Sequence, residues 1–276
     1  MNRRTLCLAG AVTACFPAVL VAAEHPYRVG AAFIDCPDCP EMVVVPPGSD
    51  VVGSTPEERK TLGVDARFDT MEAPRHKVTI GYKLAVGRYA VTFAQWDACV
   101  ADGGCGAYRP DDAGWGRGRQ PVINVDFAQA EAYVAWLKAK TGQPYRLLSE
   151  AEWEHAARAG TGWWWFAGPP TPDRANYGGN VGRTAPVGSY PANPWGLYDM
   201  GGNTAQWVED CYHDSYVGAP TDGSAWIAGA DCKVRNVRGG GWSLSGVAVR
   251  VAQRIGDPVE RFNTHLGFRV ARDIPQ

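Results

Sequence analysis

From Thr161 to Gln276 this chain offers no stretch with a helical period. Turn clusters follow one another (AGPPTPD, NYGGN, PANPWG, MGGN and GGG) around short strand candidates such as VAVRVAQR and HLGFRVAR. This half must fold through loops and short strands, not stacked helices. The whole sequence bears the same mark, with 33 glycines and 20 prolines, about a fifth of its 276 residues. Apolar residues at 45% and charged residues at 20% still supply a sizeable core. The net charge is −2 and the basic residues are scattered, which argues against nucleic-acid binding.

The first half carries the regular elements. MVVVPPG and HKVTIGYKLAVGRYAVT read as strands broken by Gly and Pro. Thr92 precedes FAQWDACVA, where Phe93, Trp96 and Val100 recur at helical spacing. Asp126 is placed to cap a second helix, FAQAEAYVAWLKAKTG, ending at Gly142. Ser149 and Glu152 form an S-x-x-E capping box for a third, stopped by Gly160. With no internal repeat or linker, one α+β domain over residues 24–276, rich in irregular structure, is the economical reading.

Residues 1–23 read as a signal peptide: Arg3 and Arg4, an apolar stretch from Leu6 to Ala23, and small residues before the cleavage point. Pro17 interrupts a stretch already short for a membrane span, so no span is expected in the mature chain. Arg3-Arg4 before Thr5-Leu6 resembles a twin-arginine export signal, although paired arginines also occur in ordinary signals. VTAC, ending at Cys15, resembles a lipoprotein box, but eight apolar residues follow where a polar tether belongs. The expected location is periplasmic or secreted. In that compartment the remaining six cysteines favour disulfides. They fall into local pairs, which predicts Cys36–Cys39, Cys99–Cys105 and Cys211–Cys232. CPDC could instead be a redox pair or half a zinc site. A second CxxC or a His pair is missing, and Pro40 leads into a strand rather than a helix.

CPEMVVVPPGS, EAPRHKVTI, YAVTFAQWDACV, PVINVDFAQAEAYVAWL, YRLLSEAEWEHAARAG, PVGSYPANPWGLYDMGGN, VRGGGW and HLGFRVAR occur in that order. Together, from Cys36 to Arg272, they resemble the formylglycine-generating-enzyme, or sulfatase-modifying-factor, superfamily. The resemblance implies a compact fold related to C-type lectins, with a ligand cleft in the C-terminal half. The founding chemistry oxidises a client cysteine with two thiols, copper(I) and oxygen, since copper(I) prefers sulfur ligands. Those thiols belong just after the turn Gly239-Gly240-Gly241-Trp242. Ser243, Leu244, Ser245, Gly246, Val247 and Ala248 stand there instead, and Gly241 replaces the motif's serine. Formylglycine generation through a copper site of that type is therefore not expected. Members that form sulfoxides draw metal histidines from an extra helical domain, and this chain has no histidine cluster.

The resemblance also nominates site residues. His265 stands where the family usually has an asparagine facing the cleft, and could serve as acid, base or metal ligand. Arg250 and Arg254 match arginines at and below the cleft floor, suited either to a carboxylate or catecholate ligand or to internal ion pairs. Trp242 and Gly241 would form a pocket wall, and Ala205, in place of a tryptophan, would open the cleft. GGNTAQW corresponds to a family loop that helps hold a structural calcium ion. Asn203, Thr204 and Gln206 would carry that site, with Asn176 and the Tyr177 carbonyl as a second, although Gln206 replaces the acid. The reading is an exported accessory or maturation factor, or an oxidoreductase, in the manner of siderophore-maturation members. Its partner would be a small molecule, a peptide or a periplasmic protein client. The rival reading is a non-catalytic module holding a peptide, glycan or partner protein, favoured by the lack of a nucleophile–base pair in the sequence.

Overall fold

The computed structural model describes residues 27–68, 70–162, 169–229 and 231–275; the expected signal peptide, residues 1–23, lies outside them. Strands β1 (Ala32–Phe33), β2 (Met42–Val45) and β3 (Gly48–Val52) lead to a short helix, α1 (Pro56–Thr61). Strands β4 (His76–Ile80) and β5 (Leu84–Gly87) follow, then helices α2 (Phe93–Ala101) and α3 (Phe127–Thr141). Strand β6 (Tyr145–Leu147) and helix α4 (Glu150–Arg158) close the first half. Among the described residues the second half holds strands and no α-helix: β7 (Ala205–Cys211), β8 (Val234–Arg238), β9 (Arg254–Pro258), β10 (Leu266–Phe268) and β11 (Val270–Asp273).

Helix boundaries follow from their caps. Thr92, Asp126 and Ser149 each accept from the backbone N–H three residues on, and Gln95, Gln129 and Glu152 return the bond. Gly142 takes the left-handed conformation that ends α3. Helix α4 ends one residue earlier than Gly160 suggested, at a left-handed Ala159. Three disulfides join Cys36 to Cys39, Cys99 to Cys105 and Cys211 to Cys232, as the local pairing predicts.

The strands form a five-stranded sheet (β1-β2-β5-β11-β6), a four-stranded sheet (β10-β7-β8-β9) and the β3-β4 hairpin. The last two strands of the chain divide between the large sheets: β10 runs parallel to β7, and β11 sits between β5 and β6. Trp96 on α2 and Tyr133 on α3 pack with Phe268 of β10, and Trp153 of α4 fills a second core cluster. This is the mixed, loop-rich architecture the composition implies.

One segment departs from expectation. VAVRVAQR is not a strand: Gly246–Val249 winds into a 3₁₀ turn, and only Arg254 enters β9. Val249, Arg250 and Val251 are all buried, which a half-exposed strand cannot achieve by alternation. The Arg238 guanidinium donates to the carbonyls of Val251 (2.7 Å) and Ala252 (3.4 Å), taking acceptors that a ladder would have used.

Candidate functional site

Where β7, β8, β9 and β10 converge, a cavity of about 240 Å³ opens. Ala205 and Leu266, paired across β7 and β10, form one apolar wall. Val237 and Ile255, paired across β8 and β9, form another, and Leu244 and Ala248 close it from the glycine-turn loop. Gln253, Asp257, Arg261 and His265 bring the polar groups.

His265 is half-buried, and its Nδ1 lies 3.2 Å from the Ser243 hydroxyl. Asn263 accepts its backbone N–H at 2.9 Å, and its carbonyl accepts from Ala205 at 2.7 Å. Burial, reinforced by the Arg261 cation, lowers the imidazole pKa, so the ring is neutral near pH 7 and able to take a proton. Burial raises the Asp257 carboxyl, opposed by Arg261, whose guanidinium lies 3.8 Å away. The cavity thus combines apolar walls, a neutral base with a hydroxyl partner, and a loosely paired acid and guanidinium.

His265 and Ala205 both line this cavity. Gly241 does not form its wall. It is the point of closest backbone approach to His265, where an added Cβ would lie 2.6 Å from the His265 Cβ. Trp242 braces the same loop: its indole donates to the Thr264 carbonyl at 2.9 Å and packs edge-on against Trp115.

Arg250 and Arg254 are placed differently from the cleft role considered for them. Arg250 is 1% exposed and grips Glu72 with both terminal nitrogens, at 2.9 and 2.6 Å. Arg254 is fully buried, holds Glu150 at 2.6 and 2.9 Å, and donates to the carbonyls of Met71 and His213. Arg238 completes this buried array by bridging Glu150 (3.0 Å) and Glu154 (2.5 Å), one turn apart on α4. These guanidiniums stitch α4 and the β3–β4 region to the second sheet, and none of them lines the cavity.

The residues expected to hold calcium are also committed elsewhere. The Asn203 side-chain oxygen accepts from Ala185 (2.8 Å) and Asn176 (3.2 Å). The Gln206 oxygen accepts from the Trp153 indole (2.9 Å) and the Arg269 guanidinium (3.0 Å). The Thr204 hydroxyl donates to the Ala205 carbonyl, and the Tyr177 carbonyl accepts from Asn180. Only the Asn176 oxygen is buried without a partner. With no carboxylate in the set and a guanidinium facing Gln206, these residues do not fit a calcium ion. Among the described residues no cluster of three His, Cys, Asp or Glu is placed to hold a metal.

Ser243, Gln253, Asp257 and Arg261 escaped the sequence reading. The available signal was DPVER, an acid and a base four residues apart just before His265, but outside a helix that spacing does not announce a contact.

The chain belongs to a family of known proteins: residues 31–274 match the sulfatase-modifying factor enzyme 1-like domain. Its fold is similar to that of PvdO from Pseudomonas aeruginosa, with a TM-score of 0.76 and 37% identity over 90% of this chain and 99% of that one. Hercynine oxygenase of Mycolicibacterium smegmatis is 29% identical over 77% of this chain and 59% of its own length. The serine/threonine-protein kinase pkn1 of Chlamydia caviae is 34% identical over 58% of this chain. This chain spans only a quarter of that kinase and just over half of the oxygenase. The three disulfides fit an extracellular or periplasmic protein. Among the described residues no helix is long and apolar enough to cross a membrane.

Proposed function

We propose that this chain is an exported accessory or maturation factor of oxidoreductase type, for example in siderophore maturation. It would act on a small molecule or peptide held in the cavity beside His265. The observation that carries this reading is the neutral imidazole in a largely apolar cavity, backed by the Ser243 hydroxyl. In a dehydrogenation of that type the bound ligand passes two electrons and two protons to dioxygen, which leaves as hydrogen peroxide. His265 is the group at hand to take a proton from the ligand on the way. Arg261 and Asp257 give the ligand two charged contacts at the rim. The similarity to PvdO over nearly its whole length, and to proteins named as oxygenases, supports the class. Export is supported by the basic-then-apolar leader and by the disulfides. The formylglycine route is not proposed, because all six cysteines after the leader are in disulfides and no thiol follows the glycine turn.

The deciding experiment measures oxygen uptake by the mature protein against candidate siderophore precursors, with His265→Ala in parallel. A base of this kind contributes roughly 10²–10⁴-fold, so uptake should fall by at least ~100-fold in the variant. Equal uptake in both proteins would remove His265 from the mechanism. The second reading, a non-catalytic binding module, draws on Ile255 and Phe262, 44% and 60% exposed on β9 and on the loop that leads to His265. Ligand binding without turnover, unchanged in His265→Ala, would select it.

A further inference from the structure

A larger depression, of about 510 Å³, shares no lining residue with the cavity beside His265. It continues into a smaller one of about 150 Å³ across Arg146 and Glu209, which border both. We propose that this groove binds a zwitterionic ligand, a free amino acid or the charged ends of a short peptide, between Lys83 and Glu209.

Part of the groove is already satisfied. Arg146 holds Glu152 with both terminal nitrogens at 2.6 Å and reaches Asp273 at 2.6 Å. The Tyr82 hydroxyl donates to Glu152 at 2.6 Å. These groups need nothing from a ligand. Lys83 and Glu209 differ: both are half-buried, both line the groove, and neither forms an ion pair among the described residues, even with each other. A partly desolvated charge without a partner is costly, and a ligand group of opposite sign recovers that cost. Two such charges of opposite sign, too far apart to pair, call for a ligand that carries both. Burial pushes the Glu209 carboxyl up, and Arg146, Arg235 and Lys138, none of them in ion-pair contact with it, only partly offset that.

The rest of the groove suits such a ligand. Ala225, Ile227 and Ile274 offer an aliphatic strip, and Ile227 is 58% exposed with nothing covering it among the described residues. The wall is built in advance. The Ser149 hydroxyl donates to the Gly223 carbonyl at 2.7 Å, and the Trp226 N–H donates to Asp210 at 2.8 Å. The Cys211–Cys232 disulfide closes the loop that carries both. A site held open in this way spends little binding energy on ordering itself.

Titration calorimetry with Ala-Leu-Ala, its N-acetyl form, its C-terminal amide and free leucine tests the proposal on the full mature chain. The uncapped tripeptide or leucine should bind, and each cap should weaken the tripeptide about tenfold, the scale of one charge-assisted contact. Leucine binding assigns an amino-acid site, whereas binding of the tripeptide alone assigns a peptide site. Glu209→Gln should erase the effect of the acetyl cap, Lys83→Met that of the amide, and His265→Ala should change neither. Equal binding of all the tripeptides, or no heat at millimolar concentration, would overturn the assignment. The comparison among ligands uses the wild-type protein, so it does not depend on any variant folding.

Discussion

Gly241 and His265 cross so closely that a Cβ on residue 241 would meet the His265 Cβ at 2.6 Å and its carbonyl oxygen at 2.9 Å. Those atoms belong to any residue but glycine at 265, so glycine at 241 answers a backbone approach, not the imidazole. Gly241→Ser should therefore destabilise the fold by about 1–3 kcal/mol, the cost of forcing extra atoms into a packed site. Adding His265→Asn should not restore it, because Cβ and carbonyl remain. Thermal unfolding of the single and double variants checks this. Recovery in the double variant would show that the ring, and not the backbone, sets the contact.

His265 should titrate below the ordinary imidazole range, since burial and then Arg261 lower its pKa. The unfolded chain takes up its proton near pH 6.5 while the native ring stays neutral. Stability contributed at this site is thus flat above pH 6.5 and falls as the pH drops from there toward the native pKa. Arg261→Gln should move the ring's NMR titration part of the way back, leaving the burial effect in place. An unchanged midpoint in that variant would mean the guanidinium does not act on the ring.

Two buried carboxyls act in the opposite direction. Burial lifts Asp199 to about 6, and burial together with the neighbouring Glu150 lifts Asp210 to about 7. From pH ~4, where an unfolded aspartate loses its proton, up through 7, the native state keeps protons the unfolded state has shed. Stability should therefore decline as the pH rises across that window. Asp199→Asn keeps an acceptor for the Gly188 N–H, bonded at 2.9 Å in the native protein, and removes one titration. Its urea midpoint should fall less between pH 5 and 8 than that of the wild type. Parallel pH curves for the two proteins would rule out Asp199 as a contributor.

The parts of this fold that were legible in the sequence are those decided over short separations. Capping boxes at Thr92, Asp126 and Ser149 span three residues, and two of the disulfides close within six. His265 and Ala205 were nominated through a resemblance of ordered motifs, and the cavity they line is built from strands far apart in sequence. The partner of a buried arginine is another matter. Arg250 meets Glu72 across 178 residues and Arg254 meets Glu150 across 104, and nothing local tells a guanidinium aimed at a ligand from one aimed inward. For the same reason VAVRVAQR looked like a strand: its valines promise burial, but the ion pairs that turn the chain aside come from elsewhere. Arg261 and Asp257 were hidden because their contact joins the end of β9 to the loop after it, where no period runs through both.

The inward direction of those arginines yields the strongest stability prediction. Burial alone would raise the Glu150 carboxyl, but Arg254 and Arg238 overcome it and hold the group below its usual range. Arg254→Met removes one cation from a carboxylate that cannot reach water, leaving Glu150 to Arg238, Asn236 and Tyr216. Breaking a buried pair from one side costs about 3–5 kcal/mol, most of it from the charge left behind. Glu150→Gln should cost a similar amount, because it strands Arg254 instead. The double variant, Arg254→Met with Glu150→Gln, should lose less than the two single losses combined, since no charge of that pair then remains unmatched. Denaturant unfolding of the three variants gives the coupling directly. If the two losses simply add, the guanidinium and carboxylate act independently, and Arg254 returns as a candidate for work outside the core.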